Sequence, residues 1–291
     1  PDPSVHLRFV MDAVAEIRFL AWLDAEVAAA RLHTENELAE RLLSFRLQAD
    51  LFREVSFDSI SAAGGNAAMC HYNHLNASAP ARLPMHSVYL IDSGGQYLDG
   101  TTDITRTVAI GDPGPEIRRM FTLVLKGHIA LGRARFPAGT TGSQLDSLAR
   151  QFLWQEGYDY DHGTGHGVGA FLSVHEGPQR IAKAPNTTAL QPGMVVSNEP
   201  GYYRAGAFGI RCENLVVVRE SPREGGDLAM LEFEVLTLVP FDLRLVDASL
   251  LTSTELAWLD NYHQRVVTEI GPLLQGSDLA WLQQATRQLG A

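Results

Sequence analysis

Five ionisable side chains stand in local settings suited to holding a ligand. They are Asp92 at the end of an apolar run, Asp103 closing Asp99-Gly-Thr-Thr-Asp103, His166 in His162-Gly-Thr-Gly-His166, Glu199 in Asn198-Glu-Pro-Gly201, and Glu213. Glycine beside an ionisable group lets the backbone turn sharply and approach a ligand closely, and a strand or tight turn holds a side chain better than a loose loop. Hard divalent cations such as Mn²⁺ take carboxylate oxygen with some imidazole, and two such ions about 3.5–4 Å apart need carboxylates that reach both. Four carboxylates and one imidazole meet that need, and their four negative charges balance two divalent ions. The ions would also let the acids sit together without prohibitively raised pKa values.

Taken singly, these signals are weak. With 34 acids in 291 residues, roughly one in nine, the spacing between Asp92 and Asp103 is unremarkable. Asp99 reads as a turn-former and stays outside the site. His6, His33, His128 and His263 lie in helical text and read as structural, whereas His71, His162 and His175 sit among glycines and small residues and join the candidates. Other chemistries lack their motifs. There is no GxxxxGK[ST] or strand-to-helix GxGxxG for phosphate, no GxSxG elbow, and nothing beside His71 that would activate Cys70 as a nucleophile.

Positioning the candidates requires strands and turns. Val88 to Ile91 is a continuous apolar run ending at Asp92, and Thr105 to Ile110 is β-branched and bounded by Gly111, so two adjacent strands are expected around the first two acids. Met194–Val196, Leu215–Val218 and Leu231–Val235 read as further strands. Ser4 is placed to cap a first helix with apolar positions from Leu7 to Ala21, and a second helix is expected from about Glu35 to Ala49. Phe57 to Met85 reads as loop with short extended pieces. Leu145 to Leu153 forms an amphipathic helix stopping at Gly157, and Thr252 with Glu255 starts a closing helix with a capping box. With no repeat or linker, a single α+β domain over residues 1–291 is the expectation.

Composition narrows the partners. An apolar share of 45% describes a globular chain, and a net charge of −11 argues against nucleic acid or an anionic membrane. No apolar stretch reaches the roughly 18 residues of a membrane span. Two cysteines, Cys70 and Cys212, make no disulfide framework, which favours a cytoplasmic setting.

Joined in order, the segments Tyr89 to Thr107, His162-Gly-Thr-Gly-His-Gly-Val-Gly169, Val174-His-Glu-Gly-Pro178, Asn198-Glu-Pro-Gly-Tyr-Tyr203 and Gly209-Ile-Arg-Cys-Glu-Asn214 resemble aminopeptidase P, the Xaa-Pro aminopeptidase branch of the pita-bread metallopeptidases. The resemblance runs over essentially the whole chain. It implies a pita-bread fold, a curved antiparallel sheet covered by helices, preceded in relatives of the cytosolic type by two further domains. It implies two divalent metal ions, Mn²⁺ being the expected pair with Co²⁺ or Zn²⁺ compatible. Asp92 would chelate one, Asp103 and Glu213 would bridge, and His166 and Glu199 would hold the other. His71, His162, His175 and Arg211 would line the substrate site.

The implied reaction is hydrolysis of the bond between an N-terminal residue and a penultimate proline. A metal-bridging hydroxide would attack, Glu199 would transfer the proton, and His71 and His175 would assist as catalytic groups. Peptides with proline second would be the partners, and a homodimer is implied. Prolidase action on Xaa-Pro dipeptides and metal-free peptide binding are the alternatives. Two positions depart from the pattern: Cys212 stands where an aliphatic residue is usual, and Gly65-Asn66-Ala67 replaces Pro-Asn-Gly ahead of His71.

Overall fold

Helix-forming text opens the chain and helix caps punctuate it. The computed structural model describes residues 3–289, with side chains from residue 8 onward. Helix α1 spans Pro3–Ala28; Ser4, the expected cap, falls outside the described side chains. Helix α2 spans Glu35–Arg46, with Thr34 and Glu37 forming a capping box at its start. It stops short of the expected Ala49, at Arg46, whose side chain runs into the interior and donates to Asp12 at 2.7 Å and Glu16 at 2.7 Å on α1.

The candidate acids lie on and between short strands. These are β1 (Phe52–Val55), β2 (Ile60–Ala63), β3 (Ser87–Ser93), β4 (Gly95–Tyr97), β5 (Gly100–Thr101) and β6 (Ile104–Ile110). A further helix, α3 (Gly114–Gly132), leads to β7 (Arg135–Pro137) and α4 (Gly142–Gln155), beyond which Gly157 takes a positive φ of 79° as a C-terminal glycine should. Then come β8 (Gly165–His166), β9 (Arg180–Ile181), β10 (Val195–Asn198), β11 (Gly201–Arg204), β12 (Phe208–Arg211), β13 (Asn214–Glu220) and β14 (Met230–Val235). Helix α5 (Ser253–Ile270) starts at the expected Thr252–Glu255 capping box, and α6 (Gly276–Ala285) follows.

Every strand pairing among the described residues is antiparallel. Strand β3 lies between β2 and β6, and β13 lies between β10 and β14, with β7 at the edge beyond β14. The largest apolar cluster joins α1, α3 and α5 to β3 and β6 through residues such as Phe19, Leu23, Tyr89, Ile91, Val124, Leu125 and Val266. A second fills the space between α4 and the β10–β13–β14 strands with Ala149, Val196, Val216, Val218 and Phe233. Both cysteines are free. No helix among the described residues is long and apolar enough to cross a membrane.

Candidate metal centre

Strand register brings the acids together. Asp92 on β3 lies opposite Thr105 on β6, and Thr105 Oγ1 donates to Glu213 Oε2 at 2.5 Å. Asp103 sits just before β6, His166 ends β8, Glu199 follows β10, and Glu213 separates β12 from β13. Antiparallel pairing of β10 with β13 sets Asn198 opposite Asn214, so the two glutamates next to them in sequence converge. Gly165 makes the histidine's approach possible: a Cβ there would overlap the Ser197 carbonyl oxygen.

His166 Nε2 lies 3.3 Å from Asp103 Oδ2 and 3.3 Å from Glu199 Oε1, while its Nδ1 is held by the Gly167 carbonyl at 2.9 Å. Ligand atoms of Asp103, His166 and Glu213 all lie within 4.8 Å of one another. Burial raises the Asp103 carboxyl to about 7, the neighbouring Asp92 and Glu199 adding to the rise and His166 opposing it. Burial also raises Glu199 and Glu213, and for Glu213 the charges of Asp103, Glu199 and Asp92 push further. Burial disfavours the His166 imidazolium, but its hydrogen bond to Asp103 and the charge of Glu199 prevail and lift it to about 9. Such mutually repelling buried acids call for cations. Asp92 Oδ1 and Glu213 Oε1 are buried with no hydrogen-bond partner. Orphaned oxygens among oxygen-rich donors fit divalent ions, and the five side chains could hold a pair of them.

Arg211 ties this cluster to its surroundings. Its Nη2 donates to Asp92 Oδ2 at 2.5 Å, its Nε to Thr105 Oγ1 at 3.0 Å, and its Nη1 to the Tyr203 hydroxyl at 2.8 Å. Tyr203 in turn meets His162 Nε2 at 2.8 Å, and His162 Nδ1 meets the Gly163 carbonyl at 2.8 Å. Those partners assign the Nδ1–H tautomer to His162. Burial, reinforced by the Arg211 charge, lowers its pKa to about 3 and keeps the ring neutral.

A cavity of about 500 Å³ opens onto the four candidate acids, His166 and Arg211, and His71, His162 and His175 line it too. His71 and His175 are exposed at its open side, whereas the His175 ring stands edge-on to His166 with 4.3 Å between ring centroids. Burial and the His166 charge lower the His175 pKa. Phe57, Ile60 and Ala182 supply apolar wall. Asp99 lines a different cavity, with Arg8 and Tyr97, in keeping with its exclusion.

Three supporting residues escaped the sequence reading. Ser197 Oγ donates to Glu199 Oε1 at 2.8 Å and accepts from His166 N at 2.9 Å. Thr105 bridges Arg211 and Glu213, and Tyr203 bridges Arg211 and His162. Thr105 and Tyr203 both lay inside motif segments; Ser197 lay in an apolar strand with no local mark. His128 is structural as expected, but its place is specific: Nδ1 lies 3.1 Å from the carbonyls of both Asn198 and Cys212, the residues before Glu199 and Glu213.

Residues 8–220 match the profile of metallopeptidase family M24, and residues 229–289 match that of the C-terminal region of peptidase M24. The chain belongs to family M24. Aminopeptidase P2 of Arabidopsis thaliana is 51% identical over 288 residues, covering 98% of this chain and 40% of that protein. A probable Xaa-Pro aminopeptidase P of Laccaria bicolor is 49% identical, covering 94% of this chain and 44% of its own length. The M24 fold is shared in detail with the X-prolyl aminopeptidase of Caenorhabditis elegans, described as a cytosolic enzyme with a di-nuclear active site. That structure superposes with a TM-score of 0.95 at 42% identity, over 99% of this chain and 47% of that one. The prolidase of Pyrococcus furiosus superposes with a TM-score of 0.62 at 28% identity, covering 80% of this chain and 63% of its own. The architecture is thus the pita-bread fold of the family. The chain spans less than half the length of the aminopeptidase P relatives it matches.

Proposed function

We propose that this M24 chain carries the active site of an Xaa-Pro aminopeptidase, releasing an N-terminal residue from peptides with proline second. The observation that carries the reading is the convergence of Asp92, Asp103, His166, Glu199 and Glu213 on one cavity, with two buried carboxylate oxygens facing no protein donor. Relatives named Xaa-Pro aminopeptidase P support the substrate class.

In this reading Asp92 would hold one divalent ion, His166 and Glu199 would hold the other, and Asp103 and Glu213 would serve both. Two bound ions supply Lewis acidity, polarising the scissile carbonyl and bringing the pKa of water toward neutrality. Glu199, steadied by Ser197, accepts the proton of the water that adds to the carbonyl before proline. His71 and His175, at the open side of the cavity, hydrogen-bond the developing oxyanion and return a proton to the proline nitrogen as the C–N bond breaks. His162, held neutral by burial and the Arg211 charge, shapes the proline side, and Arg211 orients Asp92. The carboxylate-rich donor set supports Mn²⁺ as the resident ion. The neighbour described as cytosolic supports a cytoplasmic setting.

The test is hydrolysis of Arg-Pro-Pro by the purified chain with Mn²⁺, beside Asp103→Ala and a metal-stripped sample. Free arginine released only by the metal-loaded wild type is the expected result. Cleavage of Arg-Pro but not Arg-Pro-Pro would turn the reading to prolidase. A folded, monodisperse chain that retains no divalent metal would turn it to peptide binding without cleavage.

A further inference from the structure

Glu35, the first residue of α2, is completely buried, yet among the described residues no Lys or Arg side chain bonds its carboxylate. Its four partners are all uncharged donors. Oε1 accepts from Ala63 N at 2.8 Å and from Asn66 Nδ2 at 2.8 Å, and Oε2 accepts from the Tyr72 hydroxyl at 2.7 Å and from Ala81 N at 3.2 Å. Asn66 Nδ2 also reaches the Tyr72 hydroxyl at 3.0 Å. Backbone bonds clamp the same spot, from Glu35 N to Ala81 O at 2.9 Å and from Ser61 Oγ to Glu35 O at 2.7 Å.

Those four donors mark the start, middle and end of the segment 63–81, which carries Cys70 and His71 into the cavity. Between β2 and β3 this segment forms only two short 3₁₀ turns, Gly64–Ala68 and His74–Asn76. Between its two ends its backbone bonds are local, as in Met69 N to Asn66 O and Tyr72 N to Met69 O. Local turns fix shape; placement comes from packing of residues 64–68 against β12, where the Ala67 carbonyl closes on Gly209, and from the Glu35 bonds, of which the one to Tyr72 lies next to His71. We propose that Glu35 is a positioning residue that sets where His71 stands in the cavity; the inference rests on the reading of His71 as a group that contacts substrate. A glutamine cannot replace it, because its amide NH₂ would face at least one backbone N–H that needs an acceptor.

The test is a double-mutant cycle on the chain with Mn²⁺ and Arg-Pro-Pro, using Glu35→Gln, His71→Ala and the pair, with metal content and hydrogen–deuterium exchange of segment 64–80 measured in parallel. The expected result is a loss of about 10- to 100-fold in kcat/KM for Glu35→Gln, unchanged metal content, faster exchange in the segment, and a pair no slower than His71→Ala alone. Wild-type activity or unchanged exchange in Glu35→Gln overturns the proposal, as does a loss that persists in full in the His71→Ala background. A fully active His71→Ala removes the role of His71 and the proposal with it, whereas an impaired His71→Ala beside a fully active Glu35→Gln removes the role of Glu35 alone. If Glu35→Gln does not fold, Tyr72→Phe, which keeps the carboxylate, is expected to lose several-fold in kcat/KM. Additivity of that loss with His71→Ala overturns the proposal.

Discussion

Arg211 Nη2 donates to Asp92 Oδ2 at 2.5 Å, and both side chains are buried. The guanidinium thereby occupies one oxygen of the carboxylate and leaves Oδ1 buried without a hydrogen-bond partner. One residue both offsets part of the negative charge and orients a candidate ligand, which a planar fork does and a point charge does not.

Arg211→Lys tests that arrangement. An ammonium group cannot serve Asp92, Thr105 and Tyr203 at their present separations, so Mn²⁺ affinity is expected to fall about 10- to 100-fold. Isothermal titration of the metal-free protein measures it, and wild-type affinity in the lysine variant would refute the orienting role.

Acidity gives a second prediction. Burial raises Asp103 from 3.8 to about 7 and the Asp103 bond and Glu199 charge lift His166 from 6.5 to about 9, against the cost of burying it. Between those values the folded metal-free chain binds more protons than the unfolded chain, so these groups make stability fall as pH rises from about 4 to about 9. Bound ions displace the protons. The rise in Tm caused by Mn²⁺ is therefore expected to grow across that range in differential scanning calorimetry. A shift that is flat or shrinks would contradict it.

Tyr203→Phe deletes one hydroxyl that joins Arg211 to His162. Two buried polar groups lose a partner, at a stability cost of about 1–3 kcal/mol. Peptidase kcat/KM is expected to drop about tenfold or more while bound metal stays at the wild-type amount. Loss of metal, read by elemental analysis, would move Tyr203 from orienting His162 to building the metal site.

Gly165→Ala places a methyl group on the Ser197 carbonyl. Strand β8 must then shift from β10, which disturbs Ser197 at its bonds to both His166 and Glu199. Destabilisation of about 1–3 kcal/mol is expected, with weakened metal binding. Chemical denaturation and metal titration check the two effects, and a variant with wild-type metal affinity would show that β8 has room to move.

Legibility of this molecule in its sequence followed the range of the interactions. The apolar run before Asp92, the β-branched run around Thr105 and the Thr252–Glu255 capping box are near-neighbour patterns, and each became the element it suggested. The five candidate ligands stood out by residue type and glycine context, and the fold gathers all of them at one cavity. Helix α2 ends before the expected Ala49, and the burial of Arg46 against α1 at that end is a long-range contact no local pattern carries.

Residue types, their order and the short-range patterns around them sufficed to pick out the candidate donors and the strands beside Asp92, Asp103 and Glu199, though not β8, which carries His166, because helix caps, strand alternation and glycine turns act over a few residues. Contacts between distant strands required the folded chain. Asp92 meets Arg211, His162 meets Tyr203 and Glu35 meets Tyr72 only after the sheets pair, and each contact spans tens of residues along the chain. Antiparallel register decides which side chains share a face, and burial then decides which of them keep a proton. Both depend on packing of the whole molecule, so neither is written in any local stretch of it.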